Sequence, residues 1–343
     1  MTRKLPLLIL ALAAALVVAA CGGASDEVNG GEEPAASAGG ATTTLSLVGY
    51  AVPKPGFDRV IPAFQQTEQG SNVAFKQSYG ASGDQSRKVE SGLDTDVVNF
   101  SVEPDITRLV DAGKVDADWN SGTHKGIAFG SVVTIVTRAG NPKNIRDWDD
   151  LLQPGLEVVT PNPFSSGSAK WNLLAPYAAK SDGGRDDQAG LDYLGKLIRD
   201  HVKVQPKSGR EATETFLQGT GDVLLSYENE ALFIERQGEK VEHVTPPDTF
   251  KIENPIAVLN TSKHPEQAKA FLDFNFSPEG QREWAKAGFR PMNQEIAQEF
   301  AKDFPEPQTL HTIAGLGGWK KVDKAFFDAD NGKVAKIYDE ATS

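Results

Sequence analysis

The chain has 343 residues, of which 39% are hydrophobic, and it carries a formal net charge of −12 at pH 7. This acidity disfavours nucleic acids and anionic lipid surfaces as partners, because both attract basic patches. Cys21 is the single cysteine, which excludes an internal disulfide.

The N-terminus has the pattern of an export signal. Basic residues at Arg3 and Lys4 precede an almost entirely apolar run over residues 5–20, and small residues then lead to Cys21. The run is shorter than the ~20 residues that a membrane-spanning helix needs. We therefore predict a signal peptide over residues 1–20. An uncleaved anchor helix followed by an incidental cysteine is the alternative.

The segment around Cys21 predicts a lipid anchor. Val18-Ala19-Ala20-Cys21 resembles the bacterial lipobox, in which cleavage precedes the cysteine and its sulfur is then lipidated. Residues 22–42 are rich in Gly, Ala, Ser and Glu and lack apolar periodicity, which is typical of a flexible tether. We predict a lipidated Cys21 and tether over residues 21–42, with the protein held at the outer face of the cytoplasmic membrane.

The remaining 301 residues alternate between strand and helix patterns. β-Branched apolar runs predict strands at residues 44–50, 73–77, 96–101, 131–137, 156–160, 222–227, 242–245 and 256–259. Helical spacing predicts helices at residues 57–66, 105–112, 171–179, 188–201, 267–274, 278–287 and 294–304. This alternation favours an α/β fold with a largely parallel sheet.

Three turns of small residues precede predicted helices. They cover residues 78–84, 160–168 and 207–210, with Ser82 and Ser166 as predicted N-caps. A helix start leaves backbone N–H groups unpaired and carries partial positive charge. Three converging starts would form a cage of neutral donors for an oxyanion. The alternative for any single turn is ordinary capping and turn chemistry.

Several motifs occur in the order found in one known family. They are YGASGDQS (79–86), DVV (96–98), RAGNPK (138–143), WDDL (148–151), TPNP (160–163), SG (166–167), WN (171–172), GDVL (221–224) and ENEA (228–231). Over residues 45–291 the chain resembles the sulfate-binding proteins of bacterial sulfate/thiosulfate ABC importers. The resemblance implies a two-lobed, type II periplasmic-binding-protein-like fold with the ligand in the interlobe cleft. Lobe I would comprise residues 43–130 plus 255–343, and lobe II residues 131–254.

The resemblance also implies a set of ligand-binding residues. They are Ser82, Ser166, Gly167, Ser168, Gly209 and Tyr227. Tyr227 replaces a tryptophan that is common in the family, and Ala51 or Val52 replaces an aspartate near the end of the first strand. We expect Gly167 to lie at the cleft surface, with its N–H close to the anion.

The expected function is capture of sulfate for the permease of an ABC importer, by a monomer with no enzymatic activity, no cofactor and no nucleic-acid partner. Sulfate offers only acceptors, whereas phosphate near neutral pH carries an O–H that a donor cage leaves unpaired. Thiosulfate or a molybdate-like tetrahedral anion remains an alternative ligand.

Two other classes of protein are alternatives. A secreted serine hydrolase would need a nucleophile with an activating base, but neither Ser82 nor Ser166 lies in a G-x-S-x-G motif, and the five histidines lack a metal-binding spacing. A purely structural envelope lipoprotein would not explain the three donor-rich turns.

Overall fold

The computed structural model describes residues 43–342, so the predicted signal peptide, Cys21 and the tether lie outside the described residues. The strands are β1 (Thr43–Tyr50), β2 (Val73–Gly80), β3 (Val97–Asn99), β4 (Ile127–Arg138), β5 (Val158–Val159), β6 (Val202–Val204), β7 (Val223–Tyr227), β8 (Val241–Val244), β9 (Asp248–Val258) and β10 (Thr309–His311).

Helices connect and cover these strands. They are α1 (Lys54–Gln65), α2 (Ser82–Glu90), α3 (Glu103–Asp111), α4 (Gly167–Lys180), α5 (Asp187–Lys196), α6 (Gly209–Leu217), α7 (Glu228–Arg236), α8 (Pro265–Phe276), α9 (Pro278–Lys286), α10 (Gln294–Glu299), α11 (Trp319–Val322) and α12 (Lys333–Thr342). A 3₁₀ helix covers Trp148–Leu152, and π-helical turns cover Leu197–His201 and Asp323–Phe327. Within residues 43–342, none of these helices is long and apolar enough to cross a lipid bilayer.

The strands form one mixed sheet in the order β2-β1-β3-β9-β4-β7-β5-β6. Pairing is parallel in β1–β2, β1–β3, β5–β6, β5–β7 and β9–β10. It is antiparallel in β3–β9, β4–β7, β4–β8 and β4–β9. The expected largely parallel sheet is therefore only partly correct, because every antiparallel pair involves one of the two long strands β4 and β9.

These two strands join the two halves of the molecule. The first half of β4 pairs with β9, whereas its residues from Val133 onward pair with β7 and β8. The last residues of β9, from Ile256, pair instead with β3. Two α/β lobes connected by crossing strands constitute a type II binding-protein fold. The predicted lobe boundaries at 130/131 and 254/255 fall inside β4 and β9, and the division at these residues stays a prediction.

The two lobes share a hydrophobic core, and an ion pair from the C-terminal segment also connects them. One continuous cluster of buried apolar side chains includes Phe57 and Trp284 as well as Trp171 and Leu225. The C-terminal segment crosses over the molecule, so that Lys333 at the start of α12 donates to Asp187 of α5 at 2.7 Å. The two lobes are therefore held together at their core as well as by the crossing strands.

Candidate functional site

The starts of four helices surround a cluster of buried polar groups between the lobes. These helices are α2, α4, α6 and α7, and they begin at Ser82, Gly167, Gly209 and Glu228. The Gly83 N–H donates to the Ser165 carbonyl at 3.1 Å, which joins the start of α2 directly to the turn before α4. The helix starts that follow the three predicted turns therefore converge, and an oxyanion cage at this place stays a prediction.

Ser82 is buried, and its hydroxyl is already bonded. The N-cap of α2 is Ala81 and not Ser82, which corrects the sequence-based prediction by one residue. The Ser82 hydroxyl donates to Asp105 Oδ2 at 2.6 Å and accepts from the Ser101 N–H at 2.9 Å. Its side chain is therefore held as part of a network rather than as a cap, and it would have to turn its proton away from Asp105 to donate to an anion.

Ser166 has a free hydroxyl at a helix start. It is the N-cap of α4 as predicted, and only 2% of it is exposed, yet its side chain makes no capping hydrogen bond. Among the described residues, no hydrogen bond satisfies the N–H groups of Gly167 and Ser168 either. This turn therefore presents buried donors with no protein acceptor, which is the arrangement that binds an anion at a helix start.

Two glycines allow the helix starts around the cluster to pack closely against neighbouring residues. A Cβ atom on Gly167 would lie 2.7 Å from Ser101 Cβ, and a Cβ atom on Gly209 would lie 3.0 Å from Ser168 Oγ and 3.1 Å from Val52 Cγ2. Gly167 is buried in this cluster between the lobes rather than exposed to solvent. The reason is that the start of α4 packs directly against the turn that follows β3.

Tyr227 occupies the centre of the cluster. Its ring is 1% exposed, and its hydroxyl lies 2.7 Å from Ser101 Oγ. Burial raises the pKa of Tyr227, while hydrogen bonding with Ser101, Ser168 and Asn254 acts in the opposite direction. The hydroxyl therefore stays protonated at neutral pH and remains able to donate.

The basic side chains next to the cluster are neutralised by carboxylates. Arg87 pairs with Asp84, Arg108 with Asp105 at 3.0 Å, and Arg210 with Glu230 at 3.1 Å. The Glu230 side chain is 1% exposed, and burial raises its pKa while Arg210 opposes that rise. Any anion held here would consequently rely on neutral donors and helix starts rather than on a free cation.

The structure brings all six sequence-predicted residues into this one region. Of Ala51 and Val52, the two positions considered near the end of the first strand, Val52 lies at this cluster, because it faces Gly209. Sequence reasoning missed Ser101. The Ser101 N–H donates to the Ser82 hydroxyl, the Ser101 hydroxyl bonds the Tyr227 hydroxyl, and the Ser101 carbonyl accepts from Trp171 Nε1 at 2.9 Å. The available signal was its place just after β3, at the same sheet edge as the turn after β2.

Three histidine side chains contact groups other than the two candidate serines. His201 bonds the Leu156 carbonyl, His243 pairs with Glu235, and His311 pairs with Asp248. In the part of the chain that is described, neither Ser82 nor Ser166 has a histidine as hydrogen-bond partner, and no group of three His, Cys, Asp or Glu residues could hold a metal ion.

Comparison with known proteins gives the family. The sequence model of the bacterial extracellular solute-binding proteins matches residues 45–290, which is more than half of the chain. The chain belongs to this family. The solute-binding protein is 40% identical to the sulfate-binding protein of Synechococcus elongatus over 85% of its own length and 86% of that protein. It is 36% identical to the thiosulfate-binding protein of Pseudomonas aeruginosa, over 85% and 91% of the two chains.

Solved structures agree with this assignment. The sulfate-binding protein SubI from Mycobacterium tuberculosis is 63% identical to the solute-binding protein, with a TM-score of 0.83 over 83% of this chain and all of that one. A periplasmic thiamin binding protein has a TM-score of 0.66 at 17% identity, over 88% of this chain and 96% of that one. The second likeness shows the fold alone.

Proposed function

We propose that this solute-binding protein captures sulfate outside the cytoplasmic membrane and delivers it to the permease of an ABC importer. The observation that carries the proposal is the free donor set at the start of α4, where the Ser166 hydroxyl and the N–H groups of Gly167 and Ser168 are buried without a protein acceptor. The relatives whose names specify sulfate or thiosulfate support the same chemistry.

Sulfate suits this donor set because it is fully ionised near neutral pH and offers only acceptors. The start of α6 at Gly209 and the Tyr227 hydroxyl would complete the cage together with Ser82. Since Arg87, Arg108 and Arg210 already pair with carboxylates, the cage holds its ligand by local dipoles. A donor-only site also penalises an anion that carries a proton, because a buried unpaired donor costs about 1–3 kcal/mol.

We place the protein at the outer face of the cytoplasmic membrane as a monomer, with lipidated Cys21 as its anchor, after removal of the signal peptide. Residues 22–42 would then tether the two lobes to the bilayer, and the lobes would meet at the proposed boundaries inside β4 and β9. In this arrangement the protein binds and delivers its ligand without enzymatic activity, because its donor set serves binding and its relatives are named for the solutes that they bind.

Thiosulfate is the second candidate ligand. It has the tetrahedral shape and the acceptors of sulfate, and the relative from Pseudomonas aeruginosa is named for it. The same donors at the starts of α4 and α6 would hold either anion.

Thermal unfolding of the purified protein with a panel of anions tests the proposal. A ligand at 100 times its Kd stabilises the folded state by about 2.7 kcal/mol. We expect sulfate to raise the melting temperature at micromolar concentration, while chloride at the same ionic strength does not. A larger shift with thiosulfate would make thiosulfate the main ligand. A protein that none of the tetrahedral oxyanions stabilises would contradict the proposal.

A further inference from the structure

A cavity lies at the C-terminal end of α4, away from the candidate anion site. It has a volume of about 250 Å³ and separates the start of α5 from the C-terminal segment over residues 315–333. α4 begins at Gly167 in the anion site and ends at Lys180, so its length of about 20 Å lies between the two places. We infer that this cavity binds a small organic carboxylate with an apolar body, at a site separate from the one proposed for sulfate.

Much of the cavity lining is apolar. Tyr177, Leu316, Val322 and Phe326 contribute to it, and the rings of Tyr177 and Phe326 meet edge to face with their centroids 4.7 Å apart. Gly184 leaves this space open, because a Cβ atom there would lie 3.1 Å from Leu316 Cδ2. An apolar cavity of about 150 Å³ holds one benzene molecule, so the larger volume here admits a benzene ring with a short side chain.

The charged groups of the cavity leave one ammonium group for a ligand. Lys333 donates to both oxygens of Asp187 at 2.7 Å, and the Tyr177 hydroxyl donates to Asp187 Oδ1 at 2.7 Å, so the charges of Lys333 and Asp187 cancel. Lys321 also lines the cavity, and its side chain lies over Gly317. In the described part of the chain, the Lys321 ammonium has no hydrogen bond or ion pair.

A single unpaired ammonium group beside apolar residues determines the class of ligand. A carboxylate would accept hydrogen bonds from Lys321, while an attached apolar body would be buried against the rings of Tyr177 and Phe326. An organic cation would be repelled by Lys321. A small inorganic anion would contact the lysine but would leave the apolar lining in water. The charge and the lining together therefore favour an organic acid.

Phenylacetate is the probe that tests the inference, because it combines a benzene ring with one carboxylate. Ligand-observed NMR titrations of the purified protein measure its Kd, and they compare it with the Kd of phenethyl alcohol and of phenethylamine. These two compounds have the same ring but a neutral or a positively charged end group. We expect phenylacetate to bind most tightly and phenethylamine most weakly.

The substitution Lys321→Met removes the ammonium group and keeps most of the side-chain volume. We expect the Kd of phenylacetate to rise by about five- to tenfold, a modest change because this lysine is exposed to solvent. Lys320→Met is the matched control. Lys320 is the preceding residue of α11 and is equally exposed, but it does not line the cavity, so the Kd should stay at the wild-type value.

A second variant tests the position of the ligand without changing charge. Ala325 lines the cavity, so the ring of Ala325→Phe should occupy the space and abolish phenylacetate binding while the sulfate Kd stays unchanged. Lys321→Met suffices as the test if Ala325→Phe does not fold. Saturating sulfate should leave the Kd of phenylacetate unchanged in the wild type, because the two sites are separate.

Displacement of phenylacetate by sulfate would place the carboxylate in the anion site and overturn the inference. Absence of phenylacetate binding, equal binding of the three compounds, or equal losses in Lys320→Met and Lys321→Met would also overturn it. The proposed capture of sulfate would stand in each case, since the melting temperature with sulfate tests it separately.

Discussion

Two serines cap helices at the candidate site, and they differ in what their hydroxyls do. Ser208, the N-cap of α6, accepts a hydrogen bond from the Glu211 N–H at 3.2 Å. Ser166, the N-cap of α4, makes no such bond although it is equally buried. An N-cap serine normally stabilises its helix. The side chain of Ser166 is therefore available for a ligand, whereas that of Ser208 serves the fold.

The two serines should respond differently to the same substitution. Ser166→Ala removes a donor to a charged ligand, worth about 1.5–3 kcal/mol, so we expect sulfate binding to weaken by about 10–100-fold at nearly unchanged stability. Ser208→Ala removes a cap, so we expect a stability loss of about 1 kcal/mol with affinity nearly preserved.

Urea unfolding and calorimetric titration of both variants measure the two quantities. Unchanged sulfate affinity in a folded Ser166→Ala protein would remove this side chain from the site.

At the scale of single residues, the sequence predicted the candidate donors but not their hydrogen bonds. Ser82, Ser166 and Gly209 could be placed because each lies in a recognisable turn before a helix. The bond from Ser82 to Asp105 and the contact of Ser101 with Tyr227 span 23 and 126 positions in the chain. Such partners depend on how strands pair and lobes approach, which no local pattern encodes.

At the scale of elements, most strands were predicted, including the edge strand β2 and most of the crossing strand β4, whereas the first part of β9 and the short strands β6 and β10 were not. The strand pattern at 256–259 covers only the end of β9, which begins at Asp248. In the earlier residues of β9, the buried Phe250 and Ile252 alternate with Lys251 and Glu253, which form an ion pair. Asn254-Pro255 interrupts this alternation at the point where the pairing of β9 changes from β4 to β3. The strands β6 and β10 have three residues each, which is too short to show a period.

The approach of α4 to the turn after β3 gives the prediction at this scale. Gly167 is not among the residues with positive φ, so alanine fits its backbone, but the added Cβ would lie 2.7 Å from Ser101 Cβ and 3.1 Å from Val102 Cγ2. Gly167→Ala should hold the two lobes apart, and we expect sulfate affinity to fall at least about tenfold, since overpacking of this kind costs about 1–3 kcal/mol.

A matched control comes from α5. Gly195 has no atom within 4 Å of its added Cβ, so Gly195→Ala should raise stability by about 0.5–1 kcal/mol and leave sulfate binding unchanged. Small-angle scattering with and without sulfate should show ligand-induced compaction in the control and less of it in Gly167→Ala. Full affinity in Gly167→Ala would mean that Ser101 yields without moving the lobes.

At the scale of the whole molecule, the family resemblance predicted the two lobes, while the sequence pattern alone predicted a largely parallel sheet. The difference lies in β4 and β9, whose antiparallel pairing joins the lobes.

An ion pair reinforces this junction of β4 and β9. Arg290 donates to both oxygens of Glu228, at 2.7 and 2.9 Å, and its backbone exchanges two hydrogen bonds with Gly130 of β4. Glu228 is the first residue of α7, directly after Tyr227.

Because the Glu228 side chain is 3% exposed and the Arg290 side chain 13%, breaking this pair should be costly for the whole molecule. Arg290→Met leaves a buried carboxylate without its partner, and we expect the free energy of unfolding in urea to fall by about 3–5 kcal/mol. The double variant Glu228→Gln/Arg290→Met removes both charges and should recover more than half of that loss, since the penalty arises from the unpaired charge.

Each substitution alone, the double variant and the wild type form a complete thermodynamic cycle. Equal destabilisation in Arg290→Met and in the double variant would show that the Arg290 side chain acts through its bond to the Pro305 carbonyl, and not through Glu228.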